Sequence, residues 1–148
     1  MGDSTNFSNE LQRALNYRNI GQQRQATAIY RDILARQPNH YEANYTLGML
    51  CHEHGRNDLA IPLIKKSVEI RPDIFAGCIN LGMIQRDEGL LADSQINLKR
   101  AVALKSDSAK AHVTLGLLFI DRGELDLALR EKGWQCCSRF AVRRLLQP

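Results

Sequence analysis

The sequence predicts an all-α protein, a right-handed α-solenoid of about four stacked antiparallel helix hairpins with the last one incomplete. Three observations predict it. Gly21, Gly55, Gly89 and Gly123 fall 34 residues apart without exception. A second column of small residues, Ala14, Gly48, Gly82 and Gly116, keeps the same step, and chance does not align several such columns. Between them the apolar residues recur at helical spacing, and Leu, Ile and Ala rather than aromatics (6%) supply the apolar mass.

The period divides the chain into a polar lead-in at 1–6, repeats at 7–40, 41–74 and 75–108, an incomplete repeat at 109–130 and a divergent basic tail at 131–148. Helices are expected near 8–20, 23–36, 41–54, 57–70, 75–88, 91–104 and 109–122, with an eighth starting near 125. In the second repeat Leu47, Gly48 and Cys51 share one face of the first helix. Ala60, Ile61, Ile64 and Val68 share one face of the second. Small residues at the eighth position of each repeat and at the twentieth (Ala26, Ala60, Ser94, Ala128) let the two helices of a hairpin approach closely. A glycine inside a helix costs about 1 kcal/mol against alanine, so its recurrence implies a packing gain that offsets the cost. The fifteenth position, always glycine, is where the first helix stops and a left-handed turn begins. Pro38 and Pro72 close the second helices, with Ser106 in the third such place. Pro62 lies inside an expected helix, which predicts a late start or a kink there.

The Leu-Gly pairs Leu47-Gly48, Leu81-Gly82 and Leu115-Gly116, followed by an apolar residue, Gly, Ala, a large apolar residue and a final Pro, resemble the tetratricopeptide repeat family from residue 7 to about 130. The fourth position, a bulky aromatic in the family, is here Glu10, Asn44, Cys78 and His112. The eleventh is Tyr17, Cys51, Gln85 and Phe119, which makes Gln85 a weak point. The first copy has Arg13-Ala14 in place of Leu-Gly, as a terminal capping repeat would. The array also resembles those in bacterial chains where such repeats precede a glycosyltransferase or sulfotransferase domain, through the stretch Tyr30 to Leu34 ending at Pro38.

Charge narrows the function classes. Residues 1–130 are nearly neutral, with 16 Lys/Arg against 15 Asp/Glu, and the surplus of the +4 net charge lies in the tail. Nucleic-acid binding asks for a basic stripe, which the body lacks, so no nucleic-acid partner is expected. No apolar run approaches the length of a membrane span and no signal core opens the chain, so a cytoplasmic protein without membrane partners is expected. Cys51, Cys78, Cys136 and Cys137 read as reduced thiols, their spacing fitting neither a disulfide framework nor a zinc knuckle.

Chemistry-bearing motifs are sparse. Neither a phosphate-binding GxxxxGK loop nor a GxGxxG follows a strand. Cys51-His52-Glu53-His54 is not HExxH, because Arg56 stands at the second histidine's place, and two histidines two apart point apart on a helix. The sequence therefore predicts no enzyme, no cofactor and no metal. The sequons at Asn6 and Asn44 read as chance matches. From Trp134 on, the repeat pattern fails, and three readings stand open: a divergent capping helix, the end of a truncated or frame-shifted longer product, or a basic amphipathic tail.

The family resemblance implies that the first helices line a concave groove. Its fifth and ninth positions hold Leu11 and Leu15, Tyr45 and Met49, Ile79 and Met83, and Val113 and Leu117. All eight are apolar, and as an exposed stripe they would mark a partner site. His52, Asn80 and Arg86 complete the candidate set on the polar side. The competing reading is that some of these residues pack between neighbouring repeats. A carboxylate clamp of the chaperone-binding members would need Lys and Asn where Leu11 and Leu15 stand. An asparagine ladder of sugar transferases finds only Asn80. The expected function is a protein-interaction scaffold that binds an extended or helical segment of another protein, with self-association left open. The alternative is the N-terminal array of a glycosyltransferase- or sulfotransferase-type protein whose catalytic domain lies outside this chain.

Overall fold

The computed structural model describes residues 3–130, with side chains from Phe7 onward. Among these residues there are eight helices and no strand: α1 (Asp3–Asn19), α2 (Gln23–Arg36), α3 (Tyr41–Glu53), α4 (Asn57–Ile70), α5 (Phe75–Asp87), α6 (Leu91–Leu104), α7 (Ala109–Asp121) and α8 (Leu125–Arg130). The tail readings fall on residues outside this range. The helices belong to two compact units, residues 1–72 and 73–148. In the first, α1 packs on α2, α2 on α3 and α3 on α4. In the second, α5 packs on α6, α6 on α7 and α7 on α8.

Each hairpin turns at its glycine. Gly21, Gly55, Gly89 and Gly123 all take φ between 72° and 77°, a region in which a side chain is strained. The residue after each glycine then donates its N–H five residues back. Gln22 reaches the Tyr17 carbonyl at 2.8 Å, Arg56 that of Cys51 at 2.9 Å, Leu90 that of Gln85 at 2.8 Å and Glu124 that of Phe119 at 2.7 Å. This is the Schellman arrangement, which satisfies the carbonyls that a helix end leaves open.

The small columns carry the close packing. A Cβ placed on Gly48 would stand 2.6 Å from Ile64 Cγ1 and 3.2 Å from the Ala60 carbonyl. On Gly82 it would stand 2.7 Å from both Cγ and Cδ2 of Leu98. Across that second contact Ser94 Oγ donates to the Gly82 carbonyl at 2.7 Å, so the one hydroxyl in its column is buried with its bond made.

The second helices end on extended residues. Gln37 and Arg71, each before a proline, have ψ of 84°, and Lys105, before Ser106, has ψ of 87°. Proline favours this geometry but the hairpin junction imposes it without one.

Two expectations are corrected. The first helix begins at Asp3 rather than near 8. Apolar periodicity marks only where a helix has something to bury, and the polar residues before Phe7 belong to the same helix. The helix carrying Pro62 begins at Asn57, on time, and runs through to Ile70. Pro62 removes one bond to the Asp58 carbonyl, and both residues lie on the exposed face, where water can take the free carbonyl.

Candidate functional site

The candidate residues fall in both units and are described in each separately. In the first unit Leu15 is 38% exposed, and Leu11, Tyr45, Met49 and His52 are half-buried. Tyr45 stacks on Tyr41, the rings 6.1 Å apart and within 6° of parallel, and the Arg71 guanidinium lies 5.5 Å from the Tyr41 ring. His52 is engaged within its own hairpin, its Nδ1 2.7 Å from Asn57 Oδ1. Arg18 on α1 reaches Glu53 on α3 at 3.1 Å, tying the two first helices together.

In the second unit Leu117 is 36% exposed, and Met83, Val113, Asn80 and Arg86 are half-buried. Ile79 is different: at 2% exposure it is a core residue and offers a partner no surface. Arg86 holds Asp87 at 2.9 Å and Asp121 at 3.5 Å, so its charge already has two carboxylates on the protein. The apolar part of the candidate set that remains open is therefore Leu11, Leu15, Tyr45 and Met49 in one unit and Met83, Val113 and Leu117 in the other. Met49 and Met83 are unbranched and adapt to irregular surfaces.

Several residues that the sequence reading marked as departures turn out to be structural ties. Asn44 is buried, and its amide donates to the carbonyls of Pro38 at 3.0 Å and His40 at 2.8 Å. His112, one repeat period twice removed, meets the Ser106 carbonyl at 3.0 Å through Nε2. Both bind the chain six residues back, locking the turn between hairpins where the family carries an aromatic. Gln85, expected to be a weak point, is 3% exposed but accepts a bond from Asn97 Nδ2 at 2.8 Å. The exception is Tyr30, whose buried hydroxyl has no hydrogen-bond partner. Burial pushes its phenol up from the ordinary value, and the nearby Thr46 hydroxyl offsets only part of this.

Sequence reasoning missed one periodic feature. Phe7, Tyr41 and Phe75 are 34 apart, and each lies under a cation from the far end of its own hairpin: Arg36 at 4.8 Å, Arg71 at 5.5 Å and Lys105 at 4.9 Å. The aromatic column was visible as a period; its cationic partners were not, because Arg36 is one place out of register with the other two. Such contacts are worth about 0.5–1 kcal/mol at exposed sites. Arg36 also binds Glu10 and Asp32, which closes the open end of the first hairpin.

Among the described residues no helix is long and apolar enough to cross a membrane, and no group of three or more His, Cys, Asp or Glu is placed to hold a metal ion.

Residues 11–73 match the model of the tetratricopeptide repeat family. That stretch is similar to tetratricopeptide repeats. The wider chain has the same fold as solved structures of MamA. MamA from AMB-1 is 24% identical, with a TM-score of 0.80 over 94% of this chain and 77% of that one. MamA from MSR-1 is 22% identical, with a TM-score of 0.77 over 95% and 82%. A MamA structure from Desulfovibrio magneticus RS-1, residue 41 to the end, is 20% identical, with a TM-score of 0.76 over 96% and 78%. A comparison with curated proteins finds no match. Tetratricopeptide repeats in an all-α solenoid of stacked hairpins support a protein-interaction scaffold. The resemblance to arrays that precede glycosyltransferase or sulfotransferase domains finds no support in these matches.

Proposed function

We propose that this chain is a non-enzymatic interaction module that holds an extended or helical segment of another protein against the open faces of its first helices, in the cytoplasm. The repeats that build those faces are proposed to run over 7–40, 41–74, 75–108 and 109–130. The observation that carries the reading is the pairing of exposed and half-exposed apolar side chains at matching repeat positions, Leu15 and Met49 in one unit, Met83 and Leu117 in the other. Large apolar groups left at the surface in register favour a partner that buries them. Burying one such side chain contributes about 1.5–3 kcal/mol, so a few suffice for micromolar binding once association costs are met. The polar residues around them, His52 and Arg86 above all, are already engaged within the protein and serve to hold the faces in shape.

The test is co-purification from the native cell with the wild-type chain and with Met49→Glu/Met83→Glu, both confirmed folded by circular dichroism. Loss of the wild-type partners from the double variant is expected. An unchanged set of partners overturns the assignment.

A further inference from the structure

The first unit carries a cleft that none of the proposed partner-binding residues lines. It has a volume of about 490 Å³ and lies where α2, α3 and α4 meet. Leu34 and Pro38 line it from α2 and the turn that follows, Asn44, Leu47 and Cys51 from α3, and Leu59, Pro62 and Leu63 from α4. Arg31, exposed on α2, and Lys66, half-buried on α4, add a cation from each of two helices.

Two features make this cleft more than an accident of packing. The first is Cys51. It occupies the eleventh position of its repeat, where the first repeat places Tyr17 and the fourth Phe119, which is buried. Exchanging a phenyl ring for a thiol leaves the space open. Burial pushes the thiol above its ordinary pKa although Arg31 and Arg56 pull the other way. The second is its charge. Neither Arg31 nor Lys66 has an ion-pair partner among the described residues, whereas the neighbouring Arg56 is held by Asp58 at 3.1 and 3.0 Å, and Asp32 by Arg36 at 2.7 Å. Asp58 and Asp32 are thus taken up, and neither Arg31 nor Lys66 has a carboxylate within ion-pair distance among the described residues. The two prolines add apolar surface that loses no rotamer freedom on binding, and Pro62 gains a role that its helix does not explain.

We propose that this cleft docks an acidic protein segment, in which a large aliphatic side chain enters between Pro38 and Pro62 while flanking carboxylates pair with Arg31 and Lys66. The occupant follows from complementarity: a mostly apolar lining selects the aliphatic anchor, and cations from α2 and α4 select acid beside it. This docking is independent of the faces proposed above.

A display library of random 12-residue peptides panned on the full chain tests it. The expected clones carry Leu, Ile or Met flanked by Asp or Glu. Their affinity falls at least tenfold in Arg31→Glu/Lys66→Glu and in Cys51→Phe, weakens with salt, and is unchanged in Met49→Glu. Cys51 packs beside the core, so both variants are first shown to fold by wild-type circular dichroism and a cooperative thermal melt. The proposal is overturned if panning yields no binder, if the clones lack acid, if Cys51→Phe leaves their affinity intact, or if the chain binds anionic lipid vesicles through Arg31 and Lys66 and no peptide.

Discussion

Arg86 Nε stands 3.5 Å from Asp121 Oδ2, joining α5 to α7 at the same two repeat positions at which Arg18 meets Glu53 between α1 and α3 at 3.1 Å. In each unit, then, the first helices of successive hairpins are tied by an arginine and an acid one repeat and one residue apart. These side chains are partly exposed, from 21% to 48%, and solvent screens such pairs. A double-mutant cycle on Arg86→Ala and Asp121→Ala, read by urea denaturation, is expected to give a coupling below about 1 kcal/mol. A coupling of several kcal/mol would mean that the tie, and not the apolar packing, holds the hairpins in place.

Tyr30 offers the opposite case, a buried polar atom that earns no bond. Its ring fills the hairpin core at 1% exposure while its hydroxyl has no partner. Tyr30→Phe removes the stranded oxygen and keeps the shape, so stability is expected to be unchanged or to rise. A loss above about 1 kcal/mol in a thermal or urea melt would show that the hydroxyl is bonded in solution.

The same burial sets a pH dependence. Burial raises the Cys78 and Cys51 thiols and the Tyr30 phenol above their ordinary values. An acid whose folded pKa is raised binds its proton more tightly when folded. Its stabilisation is complete below the unfolded pKa and is lost as pH rises above it. For the thiols that loss begins at about pH 8.5. The urea midpoint is therefore expected to be flat from pH 7 to 8 and to fall by pH 10, with a smaller fall in Cys78→Ala. A midpoint that rises over this range contradicts the assignment.

What the sequence made legible was whatever the backbone repeats. A left-handed turn admits little but glycine, so Gly21, Gly55, Gly89 and Gly123 marked the hairpins, and close approach admits only small groups, so Gly48 and Gly82 marked their crossings. What stayed hidden depends on partners that are not periodic. Asn44 and His112 looked like losses of an aromatic, yet each ties a turn through a carbonyl, a bond that any of several polar residues can make. Gln85 looked weak because its partner Asn97 lies on the other helix. Ile79 shared the register of Tyr45 and Val113 but is buried, since position in a repeat does not reveal how much neighbouring structure covers it.

The central claim is that hairpins close through glycine at the crossing point, and Gly82 and Leu98 test it most directly. Gly82→Ala is measured by urea denaturation in the wild-type chain and in Leu98→Ala. In the wild type the added methyl meets Leu98, which is fully buried, and overpacking of about 1–3 kcal/mol outweighs the gain of about 1 kcal/mol in helix propensity. With Leu98 cut back to alanine the space opens and only the propensity gain is left. The account predicts a destabilising effect in the first background and a stabilising one in the second; the same sign in both would contradict it.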